Sequence, residues 1–282
     1  MWPWATWKDG DTAMIRKLYP GGKPKAFSIT YDDGVLQDIP LVSLLNRYGL
    51  KGTFNLNSGL MEEEFAWVHS SGAVIRRLPS HIAAQLYDGH EVASHTVSHP
   101  YMEHLSDEEL MYQLGQDKAK LEQLFGREIL GFAVPFDHFS QRIADCARRC
   151  GFAYARTSQE RYSYAPPKDH FHWGAGAYHV MPGFWDFAEG FFHTEEELAL
   201  CQIVGHSYDL DTEQMWEPME ALFRRVAEDP NIVSMTHLDL ARYLQAMEQA
   251  VISEDRVENP SDQTLWFSKN GVIFSLAPSA YL

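Results

Sequence analysis

A stretch with the pattern of a β-strand, followed by one with the pattern of an α-helix, recurs about seven times along this chain. The first such pair is a strand expected at residues 25–33 and a helix expected at 38–48, which Gly49 would end. The longest helix is expected at 106–125, where a capping pattern begins it and Gly126 stops it. This alternation is typical of a parallel α/β architecture, either a closed barrel or an open doubly wound sheet.

The remaining elements are less sharply bounded by capping and turn residues. A short acidic helix is expected from Thr194, and the mixture of Pro, Gly and aromatic residues between 158 and 193 predicts little beyond one strand. The other expected strands are 52–57, 91–96, 129–136, 152–157, 177–181, 200–205 and 232–235, and the other expected helices are 78–87, 141–150, 212–227 and 238–250.

Polar residues fall at the carboxyl ends of several different expected strands, which is where a barrel gathers its active site. An open sheet normally uses fewer strand ends for its site, so these positions favour the barrel. The residues concerned are Asp32 and Asp33, His95, Pro135 and Phe136, Arg156, and His206.

The domain organisation follows from the extent of the alternating pattern. We expect residues 1–250 to form the barrel together with an N-terminal arm, which carries three tryptophans in its first two dozen residues. Residues 251–282 should form a small β extension packed on the barrel, because an Asn270-Gly271 turn joins two strand-like runs there.

Charge excludes two classes of partner. The formal net charge is −16, and the adjacent arginines at 76–77 and 148–149 are short pairs rather than a basic patch, so we expect no nucleic-acid partner. No run of residues is long and apolar enough to span a bilayer, so we expect no membrane partner either.

Two features favour a cytoplasmic location. The N-terminus lacks the basic start and apolar run of a secretory signal, although a signal that had been removed would leave no trace. The three cysteines, Cys146, Cys150 and Cys201, have no zinc-type spacing, which fits a reducing compartment. The oligomeric state is left open by the sequence.

The first expected strand runs directly into two adjacent carboxylates and a glycine, Asp32, Asp33 and Gly34. Two neighbouring aspartates at the end of a strand are costly unless a cation or a catalytic role occupies them. His95 and His99 are four residues apart where another strand ends, so one helical turn would place both rings on the same side. With a carboxylate from elsewhere they would give three metal ligands and an open position, but one packed and one surface histidine is an equal alternative.

The other motifs of the chain favour a metal site over one packed and one surface histidine. Four motifs occur in a fixed order, and their order and strand spacing resemble the NodB-like polysaccharide deacetylases, carbohydrate esterase family 4, over residues 25–245. The motifs are Thr30-Tyr31-Asp32-Asp33-Gly34, His95-Thr96-Val97-Ser98-His99, Ala133-Val134-Pro135-Phe136 and Ile203-Val204-Gly205-His206.

The resemblance implies a distorted (β/α)7-type barrel of mainly parallel strands that hydrolyses an N-acetyl or related amide with a divalent metal. Asp33, His95 and His99 would bind the metal, and Asp32 would be the base that removes a proton from metal-bound water. His206 would be the acid that protonates the leaving amine.

The resemblance also implies a donor for the oxyanion, the backbone N–H of Phe136. A set of two histidines and one carboxylate suits zinc, the first expectation, as well as cobalt, nickel, iron or manganese.

The third motif departs from the family pattern. Family members carry an arginine that orients the base, but Ala133 stands at that position. Arg156, at a neighbouring strand end, is the best replacement, and we hypothesise that it pairs with Asp32. The fourth motif, an Asp with a Trp, is indistinct, and Trp185-Asp186 is its nearest equivalent, with Trp185 as a substrate contact.

Three functions remain open at this stage. The leading one is a hydrolase that removes an acetyl or similar acyl group from an N-acetylated sugar or small glycan. The alternatives are hydrolysis of a non-carbohydrate or cyclic amide, and a carbohydrate-binding homologue without activity. Asp209 is either a residue that orients His206 or part of an exposed acidic loop, and His237 either faces the site or is a packed structural histidine.

Overall fold

The computed structural model describes residues 15–62, 64–157, 159, 162–174, 176–253 and 256–282. The tryptophan-bearing part of the expected N-terminal arm lies outside these residues. The strands are β1 Arg16–Leu18, β2 Lys25–Asp32, β3 Gly52–Leu56, β4 Ala66–Val68, β5 Val74–Arg76, β6 Glu91–Ser94, β7 Gly131–Ala133, β8 Tyr154–Arg156, β9 Ala177–Tyr178, β10 Ala199–Gly205, β11 Ile232–Ser234, β12 Val251–Ile252, β13 Val257–Glu258, β14 Leu265–Lys269 and β15 Val272–Leu276. The helices are α1 Asp38–Arg47, α2 Ser80–Leu86, α3 Asp107–Phe125, α4 Gln141–Arg149, α5 Phe184–His193, α6 Ser207–Thr212, α7 Trp216–Glu228 and α8 His237–Gln249.

One parallel sheet organises the molecule. Its strands lie in the order β8-β7-β6-β3-β2-β10-β9, and β11 pairs with the start of β2 before β3 pairs with the end of that strand. Helices lie between successive strands, as the alternating sequence pattern predicts. The sheet is a curled half-barrel of seven parallel strands, which confirms the distorted (β/α)7 barrel.

The distortion lies between β8 and β10. The backbone around Trp173 pairs with β8, where Trp173 N–H donates to the carbonyl of Ala155 at 3.1 Å. A few residues later, Ala177 and Tyr178 pair with β10. Trp173 and β9 therefore pair with two different strands of the sheet, β8 and β10.

The central strands are buried along nearly their whole length. Every residue of β10 and all of β2 after Lys25 are buried. Ser28 and Thr30 alternate with the apolar residues of β2, and both are nonetheless fully buried. The capping box expected for α3 is present, since the Ser106 side chain accepts from Glu109 N–H and the Glu109 carboxylate accepts from Ser106 N–H.

Two segments differ from the sequence-based expectation. The helix expected from Thr194 is wrong, because α5 ends at His193 and Thr194 is already extended. The buried stripe of α5 is formed by Phe184, Phe187 and Phe191. These residues come before the acidic residues from which the helix at Thr194 was expected. The antiparallel pair β4 and β5 was not predicted.

The C-terminal strands β14 and β15 form the expected hairpin, with β1 as a third antiparallel strand. Asn270 and Gly271 both have positive φ, 53° and 75°, as a two-residue type I′ turn requires. Leu265 and Phe267 are fully buried in a cluster with Tyr243 of α8, so the hairpin packs on the barrel. The division of the chain at residue 250 stays a prediction. No helix in the described part of the chain is long and apolar enough to cross a membrane.

Candidate active site

The end of β2 holds the two adjacent aspartates in buried positions. Asp32 is 7% exposed and Asp33 is 8% exposed. Asn55, on the neighbouring strand β3, donates to Asp32 Oδ1 at 2.7 Å. Asp33 has a φ of 82°, so the chain turns sharply there and the two carboxylates diverge.

Arg156 supplies the cation that the third motif lacks. It lies at the end of β8, is 1% exposed, and its Nη2 donates to Asp32 Oδ1. The hypothesised contact is therefore present, whereas the role of either residue in catalysis stays a proposal. Burial alone would raise the pKa of Asp32, but Arg156, with His95 and His206 nearby, lowers it well below its usual value. Asp32 is consequently ionised at neutral pH.

Asp33, His95 and His99 form a group whose ligand atoms all lie within 4.8 Å of one another. His95 Nδ1 lies 2.8 Å from the carbonyl oxygen of Ala133, and since a carbonyl can only accept, Nδ1 carries the proton and Nε2 presents its lone pair to the site. Burial lowers the pKa of His95 to about 4 and also lowers that of His99, so both rings are neutral. Two neutral imidazoles and one carboxylate fit a divalent metal.

Arg77 also lines this site, although it was not predicted to be a site residue. It follows β5, and its Nη1 donates to Asp33 Oδ1 at 3.0 Å and to Asn57 Oδ1 at 3.0 Å. Trp67 of β4 covers the guanidinium, 5.0 Å from the ring centre. Burial would raise the pKa of Asp33, but Arg77 and the surrounding histidines lower it.

His206 follows β10, which lies on the other side of β2 from β6, the strand that precedes His95. Its Nε2 lies 3.8 Å from Asp33 Oδ2. Its Nδ1 lies 3.2 Å from Asp209 Oδ2 and 2.8 Å from the hydroxyl of Tyr178. Burial would lower the pKa of His206, but the hydrogen bond to Asp209 and the charge of Asp33 raise it. Asp209 therefore orients His206, which was one of the two alternatives from the sequence.

These side chains surround one cavity of about 390 Å³. Phe136 stands at its mouth with its ring centre 4.4 Å from that of His99, and its outer side is stacked on Tyr101 at 4.0 Å. The structure therefore brings Phe136 together with the predicted base, acid and metal ligands. The cavity is lined by Asp32, Asp33, Trp67, Arg77, His95, His99, Val134, Phe136, Tyr178, Val204, His206 and Tyr208.

Trp185 does not line this cavity, and its contact with substrate stays a prediction. It is 44% exposed in the first turn of α5 and lines a separate hollow of about 530 Å³ together with Asp186. The hollow is formed by the segment from His179 to Asp186 together with Glu213 and Met215. His237 is fully buried and stacked on Tyr154 at 4.2 Å, as a packed structural histidine.

Comparison with known proteins identifies a family whose sequence model matches part of this chain. Residues 20–155 match the family model for polysaccharide deacetylase. A peptidoglycan-N-acetylglucosamine deacetylase from Bacillus cereus is 26% identical over 130 residues, which is 45% of this chain and 54% of that protein. The matched regions span between 29% and 54% of the length of the curated relatives.

Solved structures with the same fold are more distant in sequence. The Xyl-CE4 domain of a multidomain xylanase from the hindgut metagenome of Trinervitermes trinervoides is 14% identical with a TM-score of 0.54, covering 79% of this chain and 92% of that one. BA3943 from Bacillus anthracis, a CE4 family pseudoenzyme, is 15% identical with a TM-score of 0.52, covering 83% and 70%. The fold alone therefore does not establish activity. The family match over residues 20–155, the motifs and the shared fold together support the resemblance of this chain to the NodB-like polysaccharide deacetylases, carbohydrate esterase family 4.

Proposed function

We propose that this protein is a metal-dependent hydrolase that removes an acetyl or similar acyl group from an N-acetylated sugar or small glycan. The observation that carries the proposal is the convergence of an ionised carboxylate, three metal-type ligands and an oriented histidine on one cavity. A protein that only binds carbohydrate has no need of all three groups together.

A divalent metal held by Asp33, His95 and His99 would polarise the amide carbonyl and make a water molecule more acidic. Zinc is the first metal to test, and cobalt, nickel, iron and manganese suit the same ligands. Asp32 would accept the proton of the attacking water, because Arg156 keeps its carboxylate ionised and holds one of its oxygens.

The second half of the reaction needs an acid, because an amine leaves only after its nitrogen is protonated. His206 is suited to this step, since Asp209 raises its pKa and so favours the protonated ring. The Tyr178 hydroxyl, 2.8 Å from both His206 Nδ1 and Asp209 Oδ2, fixes the orientation of the ring. The backbone N–H of Phe136 is the proposed donor to the oxyanion.

The size of the cavity favours small substrates. A volume of about 390 Å³ accommodates an acetamido group with its sugar ring, at the lower end of the usual range for ligand sites. Trp67 and Tyr208 on one wall and Phe136 on another provide flat surfaces on which a sugar ring can stack.

The proposal is tested by acetate release. The purified protein is stripped of metal, reloaded with each candidate metal, and assayed on N-acetylated sugars, short oligosaccharides and cyclic amides. We expect acetate from the sugars, and a loss of at least about 100-fold in Asp32→Asn. Asp186→Asn, which removes a carboxylate from the separate hollow, is the matched control and should keep full activity.

Three results would contradict the proposal in different ways. Ring opening of cyclic amides without acetate release would assign the fold to non-carbohydrate amides. Undiminished turnover by metal-loaded Asp32→Asn would remove Asp32 from the reaction. Binding of glycans without turnover by any loaded form would favour an inactive carbohydrate-binding homologue.

A further inference from the structure

A pair of buried polar side chains, Arg77 and Asn57, connects the loops that carry the metal-type ligands. Arg77 Nη1 donates to both the backbone oxygen and Oδ1 of Asp33, and also to Asn57 Oδ1. Asn57 Nδ2 in turn donates to the backbone oxygens of His95 and Thr96, the latter at 3.0 Å. A continuous chain of hydrogen bonds therefore runs from the end of β2 to the end of β6.

The backbone at both ends of this chain has an unfavourable conformation. Asp33, Thr96 and His99 have φ values of 82°, 71° and 55°, in the left-handed region that residues with a Cβ rarely adopt. Such conformations persist where surrounding contacts hold them, and they are common at functional sites. Arg77 and Asn57 make the hydrogen bonds that hold the first two.

Both members of the pair are shielded from water, so their hydrogen bonds are not in competition with solvent. Asn57 is 1% exposed, and the Arg77 side chain is 9% exposed under the ring of Trp67. Arg77 also neutralises Asp33 before any metal is bound. The carboxylate is thus oriented in advance of metal binding.

We propose that Arg77 and Asn57 are positioning residues that set the metal affinity of this protein by holding Asp33 and the 95–99 loop in their binding geometry. The inference rests on the proposed function, because it takes Asp33, His95 and His99 as the metal ligands. Partners that orient metal ligands in this way typically change affinity by about 10–100-fold when they are removed.

The charge of Arg77 acts on metal affinity in the opposite direction. A guanidinium close to a divalent ion repels it, so its removal could strengthen binding if charge dominated. Orientation dominates in our proposal, because Arg77 also donates to the Asp33 backbone oxygen and to neutral Asn57, bonds that constrain shape rather than charge. Asn57 carries no charge, so its replacement tests orientation alone.

The experiment measures the dissociation constants of Zn²⁺ and Co²⁺ by competition with a chromophoric chelator, together with the visible spectrum of the Co²⁺ form. We expect Arg77→Met and Asn57→Ala each to weaken binding by about 10–100-fold and to alter the Co²⁺ spectrum. Arg77→Lys keeps the charge and one donor, and should restore part of the affinity. Arg76→Met is the matched control, since Arg76 is the exposed neighbour on β5, and it should match the wild type.

The outcomes separate this inference from the proposed function. Unchanged or tighter binding in Arg77→Met and Asn57→Ala, with metal binding by the wild type, would overturn the inference and leave the hydrolase proposal standing. A wild type that binds neither metal would overturn both. If Asn57→Ala does not fold, as judged by circular dichroism, Arg77→Lys and Arg77→Met decide the question by the order of their affinities.

Discussion

Replacing Arg156 with methionine keeps most of its side-chain volume and removes its charge from beside Asp32. Burial raises the pKa of Asp32, and Arg156 is the main group that lowers it, so without the guanidinium the burial effect is left uncompensated. At an effective dielectric constant of about 20, unit charges about 4 Å apart attract by about 4 kcal/mol. At about 1.4 kcal/mol per pKa unit, the pKa of Asp32 should rise by up to about 3.

The expected result is a shift in the pH profile of kcat/KM measured with saturating metal. Asp32 accepts a proton only when it is ionised, so activity falls as the pH drops through its pKa. In the wild type that fall should lie at strongly acidic pH, whereas in Arg156→Met it should move upward by about 2–3 pH units. Arg156→Lys, which keeps the charge without the planar fork, should give an intermediate profile.

The free energy of unfolding provides a second test of Arg156→Met. Removing one partner of a buried ion pair costs about 3–5 kcal/mol, because the other charge stays buried without its counter-ion. Arg142→Met is the matched control, since the ion pair of Arg142 with Asp107 is exposed and its loss should cost less than about 1 kcal/mol. A pH profile identical to the wild type, with a urea unfolding free energy no lower than that of the control, would refute the role given to Arg156.

Other expected outcomes concern a core carboxyl, the separate hollow and the acid. Burial raises the pKa of Asp38 from 3.8 to about 7, so its contribution to stability is complete below the unfolded-state value and is lost as the pH rises through about 7. At pH 8, Asp38→Asn should therefore raise the unfolding free energy by up to roughly 4 kcal/mol, which is observed as a higher melting temperature. At pH 4 it should leave both nearly unchanged. An equal effect at both values would contradict the burial argument. Trp185→Ala should leave kcat/KM for N-acetylated monosaccharides within about twofold, and a larger loss would place the ring on the reaction path. Tyr178→Phe removes a hydroxyl shared by His206 and Asp209, so kcat should fall about 10-fold with little change in KM, and a change confined to KM would count against this orienting role.

The sequence predicted the barrel and its strand ends well because the relevant information is local. The β-branched and aromatic residues of β2 and the capping residues of α3 each specify an element without reference to the rest of the chain. Parallel strands then bring their carboxyl ends to one edge, which is why Asp32, His95 and His206 could be placed together. Arg156 was found by a charge argument, since a buried base without a cation at Ala133 needed one from a nearby strand end.

Arg77 was missed because the hairpin that carries it was not predicted. Strands β4 and β5 are three residues each, and Val68 and Val74 are exposed, so no apolar face marks them as strands. The signal that could have found Arg77 is the period of two after Val74. It places Arg77 on the buried side with Ile75 and Arg76 on the exposed side.

Trp185 was assigned to the site from its motif alone, without regard to the helix that carries it. The buried stripe of α5 is set by Phe184, Phe187 and Phe191, and a residue one position along from Phe184 is rotated by about 100° from it. Trp185 therefore points out of the barrel into its own hollow. The dipeptide suggested a site residue, whereas the periodicity around it indicates the side of α5 that faces this hollow.

The two buried arginines give the site a charge balance that one arginine alone would not. Asp32 pairs with Arg156 and Asp33 pairs with Arg77, so these four side chains sum to zero before a metal is bound. Protonated His206 and Asp209 also cancel. A divalent ion held by Asp33 and the histidines would thus act with its full charge on the substrate. Because negative charge develops on the carbonyl oxygen in amide hydrolysis, an uncompensated positive charge in a buried cavity stabilises the transition state more than the ground state.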